Sequence, residues 1–206
     1  NPKSYVSGST SWNDLSGYRN VGTLTNGPTY SSANFGSIVF DGVNDYVDVT
    51  NTITLTTQYT ISVFFSASPG IINKEVIARY NVPEDQFELW ILSNGIISVY
   101  AYGATTASRP ANIAINNGTW YNVVGVYNGS TPALDIYING VLSNGSLVGT
   151  IPARLNTVSN NRINIANYGN NAYLYGKISV AQIYNRALTA DEVLQNYNAL
   201  KQRYIS

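Results

Sequence analysis

Runs of alternating apolar and polar residues, cut every few positions by Asn-Gly, Gly-Asn or proline, extend through most of this chain. A side-chain period of two belongs to strands whose two faces meet different surroundings, and the Asn, Gly and Pro punctuation supplies the reversals that join them. The pattern predicts an all-β sandwich or barrel. Strands are expected over 37–40, 45–49, 59–65, 71–80, 86–92, 96–102, 120–127, 134–138, 162–166 and 176–184, with no long helix among them. The opening residues 1–17 are turn-rich and are expected to wrap the outside.

Two hairpins can be given a register. Leu134-Asp-Ile-Tyr-Ile138 is followed by Asn139-Gly140 and Val141-Leu142, and Asn-Gly readily takes the positive φ angles of a type I′ turn. The alternations of 87–92 and 96–102 can be phased only across an odd connection. A three-residue loop Ser93-Asn94-Gly95 sets Glu88 opposite Tyr100 and Trp90 opposite Ser98. Phe87, Leu89, Ile91, Ile97 and Val99 then share the other, core-facing side.

Near the C-terminus the period changes. Thr189-Ala-Asp-Glu192 has the form of a capping box, Leu188 and Val193 of a hydrophobic staple, and Val193, Leu194, Tyr197 and Leu200 recur at helical spacing. A short amphipathic helix is expected to pack against the sandwich. The 206 residues read as one unit, without a fixed-period repeat or a low-complexity linker.

Composition narrows the chemistry. Lys+Arg and Asp+Glu number 11 each and charged residues make up 11% of the chain, under half of the roughly 25% usual for soluble domains. Neutral polar groups must therefore carry solubility, and 17 Tyr against 5 Phe can cover apolar surface while leaving hydroxyls wet. Such a surface suits weak contacts with neutral polymers. Zero net charge without a basic cluster argues against nucleic acid. No apolar run approaches the roughly 18 residues of a membrane span, so membrane insertion is not expected. The absence of Cys and His removes thiolate and imidazole nucleophiles, general bases and metal ligands. With no Met either, the chain reads as a processed or excised piece of a longer polypeptide.

Several separated landmarks occur in order: Trp12-Asn-Asp-Leu-Ser-Gly17, Gly22-Thr-Leu-Thr-Asn-Gly-Pro28, Ser37-Ile-Val-Phe-Asp-Gly-Val-Asn-Asp-Tyr-Val47, Thr119-Trp120-Tyr121, Ile136-Tyr-Ile-Asn-Gly140 and Ile183-Tyr-Asn-Arg-Ala-Leu188. With these, the chain resembles the laminin G-like, concanavalin A-like domains of phage and other viral or bacterial surface proteins. The resemblance covers nearly the whole chain and implies a two-sheet antiparallel jelly roll with a short C-terminal helix. Trp12 and Trp120 belong to landmarks and are expected to be core anchors. Relatives usually carry another strand before the segment corresponding to Asn1–Tyr5, and its absence also suggests a fragment of a larger protein.

The superfamily holds lectins, glucanases, adhesion modules and spacers, so function must be argued from the site. For hydrolysis, Glu84-Asp85-Gln86-Phe87-Glu88 is the nearest approach to the acidic strand of its glycosidases. Alternation sends Asp85 to the face opposite Glu84 and Glu88, so the matched pair of carboxylates is missing. Calcium is the candidate cofactor, since the fold often holds one: Asp14, Asp41, Asn44 and Asp45 offer oxygen ligands from two loops. The same residues also occupy turns because their side chains bond nearby backbone amides, and both readings stay open. Asn117-Gly-Thr119, Asn128-Gly-Ser130 and Asn144-Gly-Ser146 match glycosylation acceptors, although Asn-Gly is common turn chemistry and a phage product would carry no glycan.

For glycans the candidates are Glu88, Trp90, Tyr100 and Tyr102, as aromatic faces stack on sugar C–H surfaces while polar neighbours bond hydroxyls. The leading expectation is a non-catalytic, extracellular or virion-surface recognition module, a phage capsid-decoration, fibre or tail domain adhering to glycans or host-surface polysaccharide. A purely structural domain contacting other virion subunits is the second reading, and a glycoside hydrolase the remote third.

Overall fold

The structure, a computed structural model, describes residues 3–50, 53–70, 72–79, 86–157, 162–167 and 172–204. The chain forms β1 (Ser11–Trp12), β2 (Gly22–Thr25), β3 (Thr29–Ser31), β4 (Ser37–Asp41), β5 (Tyr46–Thr50), β6 (Gln58–Ala67), β7 (Lys74–Arg79) and β8 (Phe87–Ile91). It continues through β9 (Ile96–Tyr102), β10 (Thr106–Ala114), β11 (Trp120–Asn128), β12 (Ala133–Ile138), β13 (Val141–Leu142), β14 (Val148–Gly149), β15 (Arg162–Ile165) and β16 (Tyr175–Tyr184), and ends in helix α1 (Ala190–Leu200). One sheet has the order β1-β2-β5-β15-β7-β8-β9-β10-β14 and the other β13-β12-β11-β6-β16-β4-β3, with every pairing antiparallel.

The expected strands all lie within this sandwich, with ends shifted by a few residues; Ile71 and Tyr80 of the expected 71–80 strand fall outside the described residues. Five paired segments, β1, β2, β3, β10 and β14, are additional. β10 is polar and carries Pro110, so it does not read as a strand. It survives near the sheet's edge because its pairing to β9 is irregular beyond Pro110 and its outer side meets short β14 and an isolated bridge from Ala111 to Asn144. β2 and β3 are too short to show an alternation. The opening segment is also not wholly external: Ser11 and Trp12 pair with Thr23 and Gly22 at the sheet edge.

The two inner faces interdigitate. Ile61, Val63 and Phe65 of β6 meet Phe87, Leu89, Ile97 and Val99 of β8 and β9, all fully buried, and each such side chain contributes roughly 1.5–3 kcal/mol on burial. The sheets approach closely at Gly125 of β11, where a Cβ would lie 2.5 Å from Val99 Cγ2. Polar links also cross between the sheets: the Tyr59 hydroxyl donates to the Tyr100 carbonyl at 2.6 Å and Arg109 Nε to the Leu134 carbonyl, and the Tyr59 ring stacks on Tyr127 with centroids 5.2 Å apart.

The expected helix forms. Thr189 Oγ1 accepts from the Glu192 amide at 3.3 Å, and Glu192 Oε2 accepts from the Thr189 amide at 2.9 Å, completing the capping box. Leu188 and Val193 join Val124, Val126 and Tyr137 in a second apolar cluster on the outer face of the seven-stranded sheet. Trp120 corrects an expectation. It pairs opposite Ser66 on that same outer face and packs on Tyr204 with centroids 4.8 Å apart, so it anchors the C-terminal segment and not the core. Trp12 packs partly buried against the main core. No helix among the described residues is long and apolar enough to cross a membrane.

Candidate functional site

The hairpin of β8 and β9 takes the register that its alternation implies. Glu88 pairs with Tyr100 and Trp90 with Ser98, while Leu92 and Ile96 close the loop through the Leu92 amide to Ile96 carbonyl bond at 2.8 Å. Gly95 at φ 76° makes the reversal. Since Phe87, Leu89, Ile97 and Val99 point into the core, Glu88, Trp90, Tyr100 and Tyr102 stand on the outer face of the nine-stranded sheet.

There the structure brings the four together. The Tyr100 and Tyr102 rings lie nearly parallel, 5.9 Å apart at 8°. The Tyr102 hydroxyl donates to Glu88 Oε1 at 2.8 Å. Burial, then the nearby charge of Glu88, pushes the Tyr100 phenol above its ordinary range, so it stays a neutral hydroxyl. Trp90, Tyr100 and Tyr102 are half-buried and Glu88 is 5% exposed. Ser108 and Thr106 of β10 stand opposite Tyr100 and Tyr102 and extend the patch with hydroxyls.

Glu75 joins this group, and sequence reasoning missed it. Simple alternation would set Glu75 on the same side as Ile77, in the core. A bulge between the two re-aims it, pairing Glu75 with Trp90 while Ile77 pairs with Leu89. Glu75 is 0% exposed; its Oε1 accepts from the Ile77 amide at 3.2 Å and its Oε2 has no partner. Burial first, and then the charge of Glu88, push its carboxyl well above the usual carboxylate range. Its position beneath the aromatic stripe thus favours the protonated form. A lone glutamate in an apolar run is the one signal that could have marked it, but without the bulge that signal has no direction.

The calcium candidates are not brought together. Asp14 follows β1, whose Trp12 pairs with Gly22 and through it Val49, whereas Asp41, Asn44 and Asp45 form the turn entering β5 at Tyr46. The two sets thus lie at opposite ends of β5. Asp14 accepts from the Ser16 amide and hydroxyl, both at 2.7 Å, and from the Asn20 amide at 2.9 Å. Burial raises its pKa, but these bonds outweigh burial and leave it lowered. Asp41 Oδ1 accepts from the Val43 amide at 2.8 Å and Asp45 Oδ2 from the Asp41 amide at 3.1 Å. Burial, with the Asp41 charge adding, raises Asp45. These are turn-stabilising roles, and the four residues do not fit one cation as a set. Among the described residues no group of three or more acidic side chains converges.

Glu84 and Asp85 of the acidic run lie outside the described residues. Two of the glycosylation motifs serve the fold: Asn128 Oδ1 accepts from the Ser130 amide, and Asn144 bridges the Ile136 amide and the Asp135 carboxylate.

Comparison with known proteins agrees with this architecture. No curated protein sequence matches the chain. Among solved structures it is similar to the binding domain of Paraclostridial Mosquitocidal Protein 1, with a TM-score of 0.76 and 16% identity over 93% of this chain and 50% of that one. The botulinum neurotoxin serotype G binding domain aligns with a TM-score of 0.71 and 15% identity, covering 91% of this chain and 48% of that one. The chain thus spans about half the length of these toxin domains. Domain 4 of AbnA, an extracellular arabinanase from Geobacillus stearothermophilus in complex with arabinotriose, aligns with a TM-score of 0.68 and 16% identity, covering 86% of this chain and 88% of that domain. Residues 41–194 match the Laminin_G_3 family, described as concanavalin A-like lectin/glucanases superfamily. With that match covering most of the chain and two antiparallel sheets folded as a jelly roll, this protein belongs to the concanavalin A-like lectin/glucanases superfamily as a laminin G-type domain.

Proposed function

We propose that this domain is a non-catalytic surface-recognition module that binds neutral glycan chains on the outer face of the nine-stranded sheet. The observation that carries the reading is the parallel pair Tyr100 and Tyr102 beside Trp90, with Glu88 held among them by the Tyr102 hydroxyl. Aromatic faces of this kind stack on sugar rings, while Glu88, Ser108 and the phenols bond hydroxyls. A similarly folded domain that is complexed with arabinotriose supports the class of ligand. The module works outside the cell, on host-surface polysaccharide, within a larger surface protein such as a phage fibre, tail or capsid-decoration protein.

Acid–base hydrolysis is not assigned. Retaining or inverting chemistry needs two carboxyl groups that reach the substrate, and Glu75, the acidic neighbour of Glu88 on this face, is fully buried. A glycan array followed by calorimetric titration tests the proposal. Saturable binding of a neutral oligosaccharide, lost in Trp90→Ala, is the expected result. No binding at millimolar sugar would leave a structural role, and turnover of a sugar chain lost in Glu88→Gln would replace recognition by catalysis.

A further inference from the structure

We propose that the glycan face also holds one protonated amino group, so that its preferred ligand is an otherwise neutral chain with an amino sugar at the residue lying over Glu88. The inference rests on the glycan reading of this face and narrows the class of sugar.

Acidic residues are scarce in this chain, with 11 Asp and Glu in 206 positions. Among the described ones, Asp45, Glu75 and Glu88 are buried. Asp45 serves its turn, where Oδ2 accepts from the Asp41 amide. Glu75 and Glu88 instead share one patch. The bulge after Glu75 sets it opposite Trp90, two positions along β8 from Glu88, and both acids bear electrostatically on the Tyr100 phenol of β9. Tyr102 donates to Glu88 Oε1, whereas the fully buried Glu75 Oε2 has no hydrogen-bond partner.

Such a patch attracts a cation twice over. Carboxyl groups withdrawn from water are costly to ionise, and a bound positive charge offsets that cost. The faces of Trp90, Tyr100 and Tyr102 beside them present the negative side of the ring quadrupole. Burial and the Glu88 charge hold the Glu75 carboxyl up, which favours a single charge on the pair in the free domain. One charge matches one ammonium.

Other cations fit less well. A divalent metal takes about six or more oxygen ligands, and no group of three acidic side chains converges among the described residues. A guanidinium pairs through two parallel bonds to both oxygens of a carboxylate, and Tyr102 already engages one oxygen of Glu88. An ammonium is compact and has three donors. It can give one to Glu88 and keep the others for the hydroxyls of Tyr100 and Ser108, which stand opposite each other. Carried on a sugar, it reaches the carboxylate while the ring stacks on a neighbouring aromatic. A lysine side chain brings the charge without the stacking face.

The test titrates the 206-residue chain calorimetrically, in mildly acidic buffer, with β-1,4-linked trimers of glucosamine, N-acetylglucosamine and glucose. The glucosamine trimer is expected to bind about tenfold or more tightly than either neutral trimer, equivalent to about 1.4 kcal/mol. That margin should shrink in about 1 M salt, where charges are screened beyond roughly 3 Å. Glu88→Gln should bring the three trimers to within about twofold of one another, and trilysine should bind the wild type at least about tenfold more weakly than the glucosamine trimer. Should Glu88→Gln fail to fold, the acetylated trimer and the salt series decide on the wild type alone. The inference is overturned, and the glycan reading kept, if a neutral trimer binds as tightly as the glucosamine one. It is also overturned if the margin survives salt or Glu88→Gln, or if trilysine matches the glucosamine trimer. If no trimer binds at about 1 mM, the glycan reading falls and this inference with it.

Discussion

The hydroxyl of Tyr102 donates to Glu88 Oε1 at 2.8 Å across two neighbouring strands, so a buried acid that borders the aromatic stripe is held in place by a member of the stripe. Tyr102→Phe keeps the ring and removes that donor. Affinity for a neutral oligosaccharide is expected to fall by about three- to tenfold, up to about 1.4 kcal/mol, whereas Trp90→Ala removes stacking area and should cost more than tenfold. Titration calorimetry of both variants checks the order.

Tyr59 reaches through the core from the opposite sheet to the carbonyl of Tyr100. Tyr59→Phe removes the cross-sheet bond to that carbonyl, which keeps its place in the β8–β9 ladder opposite Glu88, and stability is expected to drop by about 0.5–1.5 kcal/mol. Chemical denaturation measures the loss. Because the carbonyl belongs to the site strand, amide exchange at Tyr100 and its neighbours should rise as well.

Glu75 gives the domain a pH dependence of defined sign. Its carboxyl is raised in the folded state by burial and by Glu88, so above the ordinary carboxylate range the folded chain holds a proton that the unfolded chain has released. Stability contributed by this group is full at low pH and declines as pH rises toward the folded pKa, each unit of difference being worth about 1.4 kcal/mol. Glu75→Gln should flatten that decline and raise the midpoint of thermal unfolding at neutral pH relative to pH 4. A variant whose pH profile parallels the wild type would contradict this.

At the helix, the sign reverses. Glu192 is lowered to about 2 by the Arg186 guanidinium and the Thr189 amide, so its contribution is present above the ordinary Glu range and lost as pH falls toward that value. Thr189→Ala removes the reciprocal cap and is expected to cost about 1 kcal/mol. Helical circular dichroism followed between pH 5 and pH 2 should show the wild type fraying as Glu192 protonates, and the variant starting from lower helicity.

The β8–β9 hairpin was legible because strict alternation and one glycine leave a single phase, and the helix because Thr189 and Glu192 sit three apart before an apolar stripe. What escaped was set by irregularity. The bulge at Val76 decides that Glu75 faces outward, and no local residue type announces it. β10 was hidden by Pro110, whose cost depends on lying near an edge that only the tertiary arrangement creates. Trp120 looked like a core residue because its landmark lies on a core strand, yet one position of phase sends it to the opposite side, under Tyr204.

Helix α1 and the stack of Phe64, Tyr204 and Trp120 seal much of the outer surface of the seven-stranded sheet. The domain accordingly has a back and a front. On the proposed glycan reading, a long polymer would lie flat against the front alone, and the tyrosine-bearing side is the one that must stay open.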